Sequence, residues 1–194
     1  MPSTGKATPK RDELVDIASK LFYEQGFGAT GIKQIIETAG IAKGTFYSHF
    51  SSKEEVGLAW LRKRHTQWNN WLQEKLSASK HPKGKILALF DFLEQWMQES
   101  NFRGCAFLNS LSEFPDPESP IRQEIESHKR GLQEAIQALT SQHYAEKPSS
   151  FASHKGTIIF LLFEGALIES QNFRKVWPIT AARKEIKSLL AVER

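Results

Sequence analysis

Residues 30–50 read TGIKQIIETAGIAKGTFYSHF, and this stretch decides the fold of the N-terminal part of the chain. Thr30 can cap a short helix that carries apolar residues at helical spacing. Gly40 predicts the end of that helix in a left-handed conformation, and a second short helix follows from about Lys43 to Phe50. Two short helices joined by a glycine turn are the minimum that a helix-turn-helix requires.

The apolar residues of this stretch predict which faces of the two helices point inward. Phe46 and Phe50 are four residues apart, so both can point inward from the second helix. The apolar residues expected to pack with them are Ile35, Ile36, Ala39 and Ile41. The side chains left for the other faces of the second helix are Lys43, Thr45, Tyr47, Ser48 and His49.

These outward residue types suit a DNA surface. Lys43 can reach a phosphate or a guanine edge, and the hydroxyl and methyl groups of Thr45 suit base edges, including the thymine methyl. Gly44 allows the backbone to come close to DNA, and the Tyr47 hydroxyl can donate to a phosphate. Lys53 heads the next helix, where its amine can pin a second phosphate.

At these positions the sequence closely resembles the TetR family of bacterial transcriptional regulators. The matching residues are Thr30, Ala39-Gly40, Lys43 to Phe50 and Lys53-Glu54, within about the first 60 residues. The resemblance implies phosphate contacts by Thr30, Tyr47 and Lys53. It implies base contacts by Lys43, Gly44 and Thr45, and core positions for Phe46 and Phe50.

One position departs from the family pattern, and one matching residue has an alternative role. Ala42 stands where the family often has serine or threonine, and alanine cannot cap the recognition helix, a loss that typically costs ~1 kcal/mol. His49, at the end of that helix, fits packing or a phosphate contact better than base reading. The affinity of the site is therefore expected to rest on the remaining contacts.

Helical spacing continues along the chain, and no alternating strand pattern occurs. Two overlapping Ser-x-x-Glu boxes in residues 51–55 predict the start of a long helix over 53–76. Further helices are expected over about 10–25, 83–99, 105–114, 119–142, 151–171 and 178–192. The predicted fold is all-α with about nine helices. A three-helix DNA-binding domain (residues 1–52, helix-turn-helix at 31–50) precedes a larger helical effector-binding and dimerisation domain (residues 53–194).

Composition places the chain among soluble globular proteins, since 40% of its 194 residues are hydrophobic and 25% are charged. The net charge of +4 is compatible with a nucleic-acid partner but is weak support by itself. The single cysteine and the missing secretory signal favour the cytoplasm. The longest apolar run, 157–168, falls short of the roughly 20 residues that span a bilayer, so a buried helix is expected. Residues 1–9 look like a mobile arm. Lys6, Lys10 and Arg11 in or beside it are most simply solvated charge, and additional phosphate contacts are the alternative.

The resemblance implies a ligand cavity in the second domain, and aromatic residues are concentrated in the middle helices. The candidate ligand-binding residues are Trp60, Trp68, Trp71, Phe90, Trp96, Cys105 and Phe107. Aromatic walls with a few polar groups are typical of apolar small-molecule pockets, which favours a hydrophobic or aromatic effector. For any one of these residues, simple core packing is the alternative.

Cys105 allows a further alternative, a thiol-based sensor of oxidants or electrophiles. It follows Gly104 at an expected helix start and lies near Arg103, and both features favour a thiolate. Some family relatives with a Gly-Cys pair here sense through the thiol. The other interpretation is an inert buried cysteine that behaves as a small hydrophobe.

The predicted helix over 151–171 is apolar nearly all round, so its own domain and a second copy should cover it. Together with the last helix it predicts a homodimer that places two recognition helices about one DNA turn apart on a palindromic site.

The expected function is a repressor that binds operator DNA and that an effector releases from it. A regulator without an effector is the alternative. The sequence indicates no enzyme, cofactor or metal site, since Ser77-Ala-Ser-Lys80 is a chance-level match.

Overall fold

The computed structural model describes residues 11–191, which form nine α-helices and no strand within that range. The expected all-α fold of about nine helices is confirmed. The expected N-terminal arm, with Lys6 and Lys10, lies outside the described residues. The helices are α1 (Arg11–Gln25), α2 (Ile32–Ala39), α3 (Lys43–His49), α4 (Lys53–Ser77), α5 (Pro82–Glu99), α6 (Ala106–Leu111), α7 (Pro120–His143), α8 (Ser149–Phe173) and α9 (Trp177–Leu189).

The described residues divide into two compact units. The first unit comprises residues 11–65 and 106–125, and the second comprises residues 66–105 and 126–191. The unit that holds α2 and α3 therefore also includes the first half of α4, all of α6 and the start of α7. The sequence placed the boundary after residue 52, and a division of DNA binding from effector binding at that point stays a prediction.

The first unit is built around α1 and the beginning of α4. The predicted helix start at the serine pair is confirmed, because the Ser52 hydroxyl accepts the Glu55 N–H at 3.1 Å. The Glu55 carboxylate in turn accepts the Ser51 N–H at 2.7 Å. Hydrogen bonds from the Ser51 backbone and hydroxyl lower the pKa of Glu55. The side chains that α1 buries in this unit are Leu14, Val15, Ala18, Leu21 and Phe22.

The second unit packs α5, α8 and α9 together. Arg183 of α9 binds Asp91 of α5 through two hydrogen bonds, Nε to Oδ1 at 2.6 Å and Nη2 to Oδ2 at 3.1 Å, and this bonding raises the pKa of Arg183. Lys129 of α7 pairs with Glu164 of α8 at 2.7 Å. Helix α5 buries one broad apolar face, which consists of Ile86, Leu89, Phe90, Phe92, Leu93, Trp96 and Met97.

Helix α8 extends two residues beyond each end of the expected helix over 151–171, and this chain buries less of it than the sequence predicted. It runs for 25 residues, and by length and composition alone it could cross a membrane, which is weak support because core helices of soluble proteins pass the same test. Only 33% of its most apolar 18-residue window is buried. Leu161 is 60% exposed and Ile168 is 42% exposed. Helix α8 therefore presents an apolar strip that this chain does not cover within the described residues.

Candidate nucleic-acid interface

The turn between α2 and α3 has the geometry that the sequence predicts. Gly40 adopts φ 64° and ψ 35°, the left-handed conformation in which a Cβ is strained. Its N–H donates to the Glu37 carbonyl at 3.2 Å, and the Ile41 N–H donates to the Ile36 carbonyl at 3.3 Å. This pair of bonds is a Schellman motif, which ends α2 and directs the chain into α3.

Apolar packing fixes which face of α3 points outward. Ile35 and Phe46 are fully buried, and Phe50 is 1% exposed. The rings of Phe46 and Phe50 lie 6.1 Å apart between centroids. The predicted inward positions of both phenylalanines are therefore confirmed.

The opposite face of α3 carries polar and small residues in contact with solvent. Lys43, Gly44 and Ser48 are exposed, and Tyr47 is 45% exposed. The Lys43 ammonium lies 5.9 Å from the centroid of the Tyr47 ring, one helical turn away. The two residues thus form one surface, in which a cation lies beside an aromatic ring.

Thr45, Ser48 and His49 complete the set that the sequence selected on α3. Thr45 and His49 are half-buried, which leaves part of each side chain at the surface. The Ser48 hydroxyl donates to the Thr45 carbonyl at 2.7 Å, so it is engaged with its own helix. At the start of the helix the N-cap residue is Ala42, which makes no side-chain capping bond, as predicted.

Thr30 requires a correction. The N-cap of α2 is Gly31 and not Thr30, and no side chain caps that helix. Thr30 is fully buried, and its hydroxyl donates to the Gly26 carbonyl at 2.8 Å. The sequence prediction that Thr30 grips a phosphate is not supported, because the hydroxyl is committed inside the unit.

Lys53 lies at the first position of α4 and is half-buried. Its ammonium donates to the Phe27 carbonyl at 3.0 Å and sits 4.2 Å from the centroid of the Phe27 ring. An ammonium has three protons, so the contact with Phe27 leaves donors for a phosphate. Lys53 thus has a structural role that the sequence pattern did not predict, beside its predicted role at DNA.

The residues predicted to bind a ligand do not form one site. Trp60 and Phe107 belong to the first unit, and the Trp60 ring packs on Phe22 at 5.2 Å. Phe90 is fully buried and packs on Phe163 at 5.9 Å. These three residues are core residues in the structure.

Trp71 and Trp96 line one cavity of about 450 Å³ between α4 and α5. Phe92 lines it too, and its ring stacks on the Trp96 ring, with 6.1 Å between the centroids. The buried Trp68 ring contacts the Trp96 ring, with 6.1 Å between the centroids. The remaining lining residues are Glu74, Lys75, Ala78, Gln95 and Glu99.

Cys105 is 2% exposed and directly precedes α6. It does not line the cavity between α4 and α5. A sensing thiol needs access to its oxidant or electrophile, and this conformation withholds that access. Among residues 11–191, no group of three or more His, Cys, Asp or Glu side chains is arranged to hold a metal ion.

A helix-turn-helix whose second helix presents a polar face to solvent is typical of DNA-binding proteins. The family model of bacterial regulatory proteins of the tetR family matches residues 14–59. The chain is 25% identical to the HTH-type transcriptional repressor NemR of Escherichia coli (strain K12) over 190 residues, which cover 93% of this chain and 94% of NemR. It is 35% identical to the repressor KstR2 of Mycolicibacterium smegmatis over 85 residues, 42% of this chain and 40% of KstR2.

Solved structures give the same fold over nearly the whole chain. The structure of SCO4454, a TetR-family transcriptional regulator from Streptomyces coelicolor, matches with a TM-score of 0.84 at 24% identity over 93% of each chain. The reduced form of E. coli NemR matches with a TM-score of 0.80 at 20% identity, over 95% of this chain and 99% of NemR. The chain therefore matches the tetR family model over residues 14–59 and shares the fold of TetR-family regulators over nearly its whole length. It is a DNA-binding transcriptional regulator, not an enzyme.

Gly44 allows a direct test of how closely α3 approaches DNA. A Cβ on Gly44 would meet no heavy atom within 4 Å beyond its chain neighbours and its own helix backbone, and the same holds for Gly131 of α7. Alanine at either position should therefore be tolerated, and should favour the helix by up to ~1 kcal/mol. We expect Gly44→Ala to weaken DNA binding ~5-fold or more in fluorescence anisotropy, because its methyl group enters a tight interface. Gly131→Ala is the matched control, and equal binding by both variants would contradict the contact.

Proposed function

We propose that this protein is a dimeric repressor that binds a palindromic operator through α3 and leaves it when a small aromatic effector binds. The observation that carries the proposal is the exposed face of α3, held outward by the burial of Phe46 and Phe50. The names of NemR and KstR2 support repression, whereas FasR, 32% identical over 89 residues, is named an activator. Such a regulator acts in the cytoplasm, where the DNA lies.

Residues on and beside α3 divide into two kinds of DNA contact. Lys43, Gly44 and Thr45 lie in the first turn of α3, which in a helix-turn-helix meets base edges in the major groove. Tyr47, one turn later, and Lys53, at the start of α4, suit phosphates on the flanking backbone. Ser48 and His49 lie at the end of α3 and supply secondary contacts.

Removing a phosphate contact and removing a base contact should affect DNA binding differently. Tyr47→Phe combined with Lys53→Ala should weaken binding to every duplex and reduce the slope of log affinity against log salt by about one, since one cation no longer displaces a counterion. Lys43→Ala should instead change the preferred bases. Lys80→Ala, an exposed lysine of the second unit, is the charge control. Binding-site selection and salt titration measure both effects, and an unchanged Lys43→Ala variant would contradict the assignment.

The exposed strip of α8 supports a dimer. Leu161, Gly165 and Ile168 recur at the i, i+4, i+7 spacing of one helical face, and all three are exposed. Beyond the chain neighbours and the backbone of its own helix, no heavy atom of residues 11–191 lies within 4 Å of a Cβ placed on Gly165, and a glycine there suits a close helix neighbour. Phe173 and Trp177 add exposed rings beyond the end of the strip, 5.4 Å apart. A second copy of α8 and α9 would cover this apolar surface.

Placing charges on this strip should separate the protomers. We expect Leu161→Lys with Ile168→Lys to give a folded monomer in analytical ultracentrifugation, because two ammonium groups cannot be buried unpaired against a twin. Gln73→Lys with Gln98→Lys adds the same charge at exposed positions of α4 and α5 and should stay dimeric. The monomer should also lose the added affinity of two half-sites. A charged variant that remains a dimer would place the interface elsewhere.

The cavity between α4 and α5 is where the structure best supports an effector. Its volume of about 450 Å³ suits a small molecule. Trp71, 40% exposed, offers an aromatic surface, and the indole N–H of Trp96 is buried without an acceptor among the described residues. Glu74 and Glu99 also line the cavity, which favours an aromatic effector that carries positive charge.

The single ammonium of the cavity lining is already engaged. Lys75 donates to the Gln95 amide oxygen at 3.0 Å, and the Gln95 amide donates to Glu99 at 2.8 Å. Two carboxylates against one ammonium leave the lining net negative at neutral pH.

A pair of probes of the same shape and opposite charge tests this site. Tetraphenylphosphonium should bind and lower DNA affinity, whereas tetraphenylborate should do neither, because the lining carboxylates repel it. Glu74→Gln and Trp71→Ala should each weaken the cation's binding in calorimetry, and Glu134→Gln, an exposed carboxylate of α7, should not. Binding of both probes with equal affinity, or cation binding that Trp71→Ala leaves unchanged, would refute this location.

A further inference from the structure

Glu113 makes a contact that the DNA-binding assignment does not use. It lies two residues after the end of α6, in the first unit. Its carboxylate accepts the N–H of Phe27 through Oε1 at 3.1 Å and the N–H of Gly28 through Oε2. The two amides are consecutive, so one carboxylate binds two neighbouring N–H groups of the turn that joins α1 to α2.

The same turn is held at three further points. Lys53 binds the Phe27 carbonyl and lies over its ring. The Phe27 ring packs edge-on against Phe114, the residue after Glu113, at 4.8 Å. A Cβ on Gly57 of α4 would lie 2.6 Å from the Phe27 ring, which is contact too close for any larger residue. The N–H, the carbonyl and the ring of Phe27 are thus all engaged.

The turn matters because α2 follows it directly. The Thr30 hydroxyl binds the Gly26 carbonyl, and the Thr30 N–H binds the Phe27 carbonyl at 3.2 Å. These bonds tie the start of α2 to the turn, and the Gly40 motif ties α2 to α3. The direction of α3 therefore depends on where the turn is held.

We propose that Glu113 is a positioning residue for operator recognition, which sets the direction of α3 by holding the α1–α2 turn through two backbone amides. It acts without touching DNA. Its charge opposes DNA binding, whereas its hydrogen bonds favour it, so the two roles predict opposite effects when the charge is removed.

The first test is Glu113→Gln, measured against Glu118→Gln, an exposed carboxylate of the same segment. Glutamine keeps the size but replaces one acceptor oxygen with a donor, so it cannot accept both amides. Affinity for a duplex that the wild-type protein selects should fall ~10-fold, whereas affinity for unrelated duplex should not fall, because oriented recognition is lost while a negative charge is removed. Glu118→Gln should leave the ratio of the two affinities unchanged.

The second test reaches the same contact from the other side and retains the charge. A Cβ on Gly28 would lie 2.7 Å from Glu113 Oε2, so Gly28→Ala should displace the carboxylate. We expect a similar loss of specific affinity, and no further loss when Gly28→Ala is combined with Glu113→Gln. Should Glu113→Gln fail to fold, as judged by thermal unfolding, Gly28→Ala alone decides the question.

Three results would overturn the proposal. In the first, Glu113→Gln binds the selected duplex as tightly as the wild-type protein or more tightly. In the second, the affinity losses of Glu113→Gln and Gly28→Ala add in the double variant. In the third, affinity falls equally for selected and unrelated DNA. None of them would disprove that the protein is a DNA-binding regulator, because the wild-type affinity for the selected duplex measures that separately.

Discussion

The burial of Phe46 in α3 and of Phe50 directly after the helix is the constraint on which the proposed function depends. Phe46 and Phe50 have almost no exposed surface, so the rotation of this short helix about its axis is fixed by its core. Positions 43, 44, 47 and 48 must then face solvent. Without that packing a seven-residue helix has little stability of its own, because helices this short are marginal in water. The recognition surface is thus a consequence of core packing.

Local patterns predicted this part of the molecule well, for identifiable reasons. Gly40 and the spacing of Phe46 and Phe50 act within a few residues, where conformational preference and helical period decide the outcome. The prediction that Thr30 caps α2 was wrong because a threonine before a helix can either cap it or bond backward to the preceding turn. The sequence pattern is the same in both cases. The structure has the second arrangement.

Contacts between residues far apart in the chain could not be predicted from the sequence. The bond from Glu113 to Phe27 spans 86 positions, and nothing in the spacing around Glu113 marks it as a partner of that turn. The aromatic residues of the middle helices present the same difficulty. Their residue types indicate both core and cavity, and only packing places Trp60 and Phe90 in cores while Trp71 and Trp96 line a cavity.

The central claim is that the outward face of α3 fits a groove of duplex DNA, and site selection from random duplex DNA at moderate salt tests it most directly. The account predicts enrichment of an inverted repeat whose half-sites lie about one helical turn, roughly 34 Å, apart. Retention of all sequences alike, with no enriched motif after repeated rounds, would contradict it.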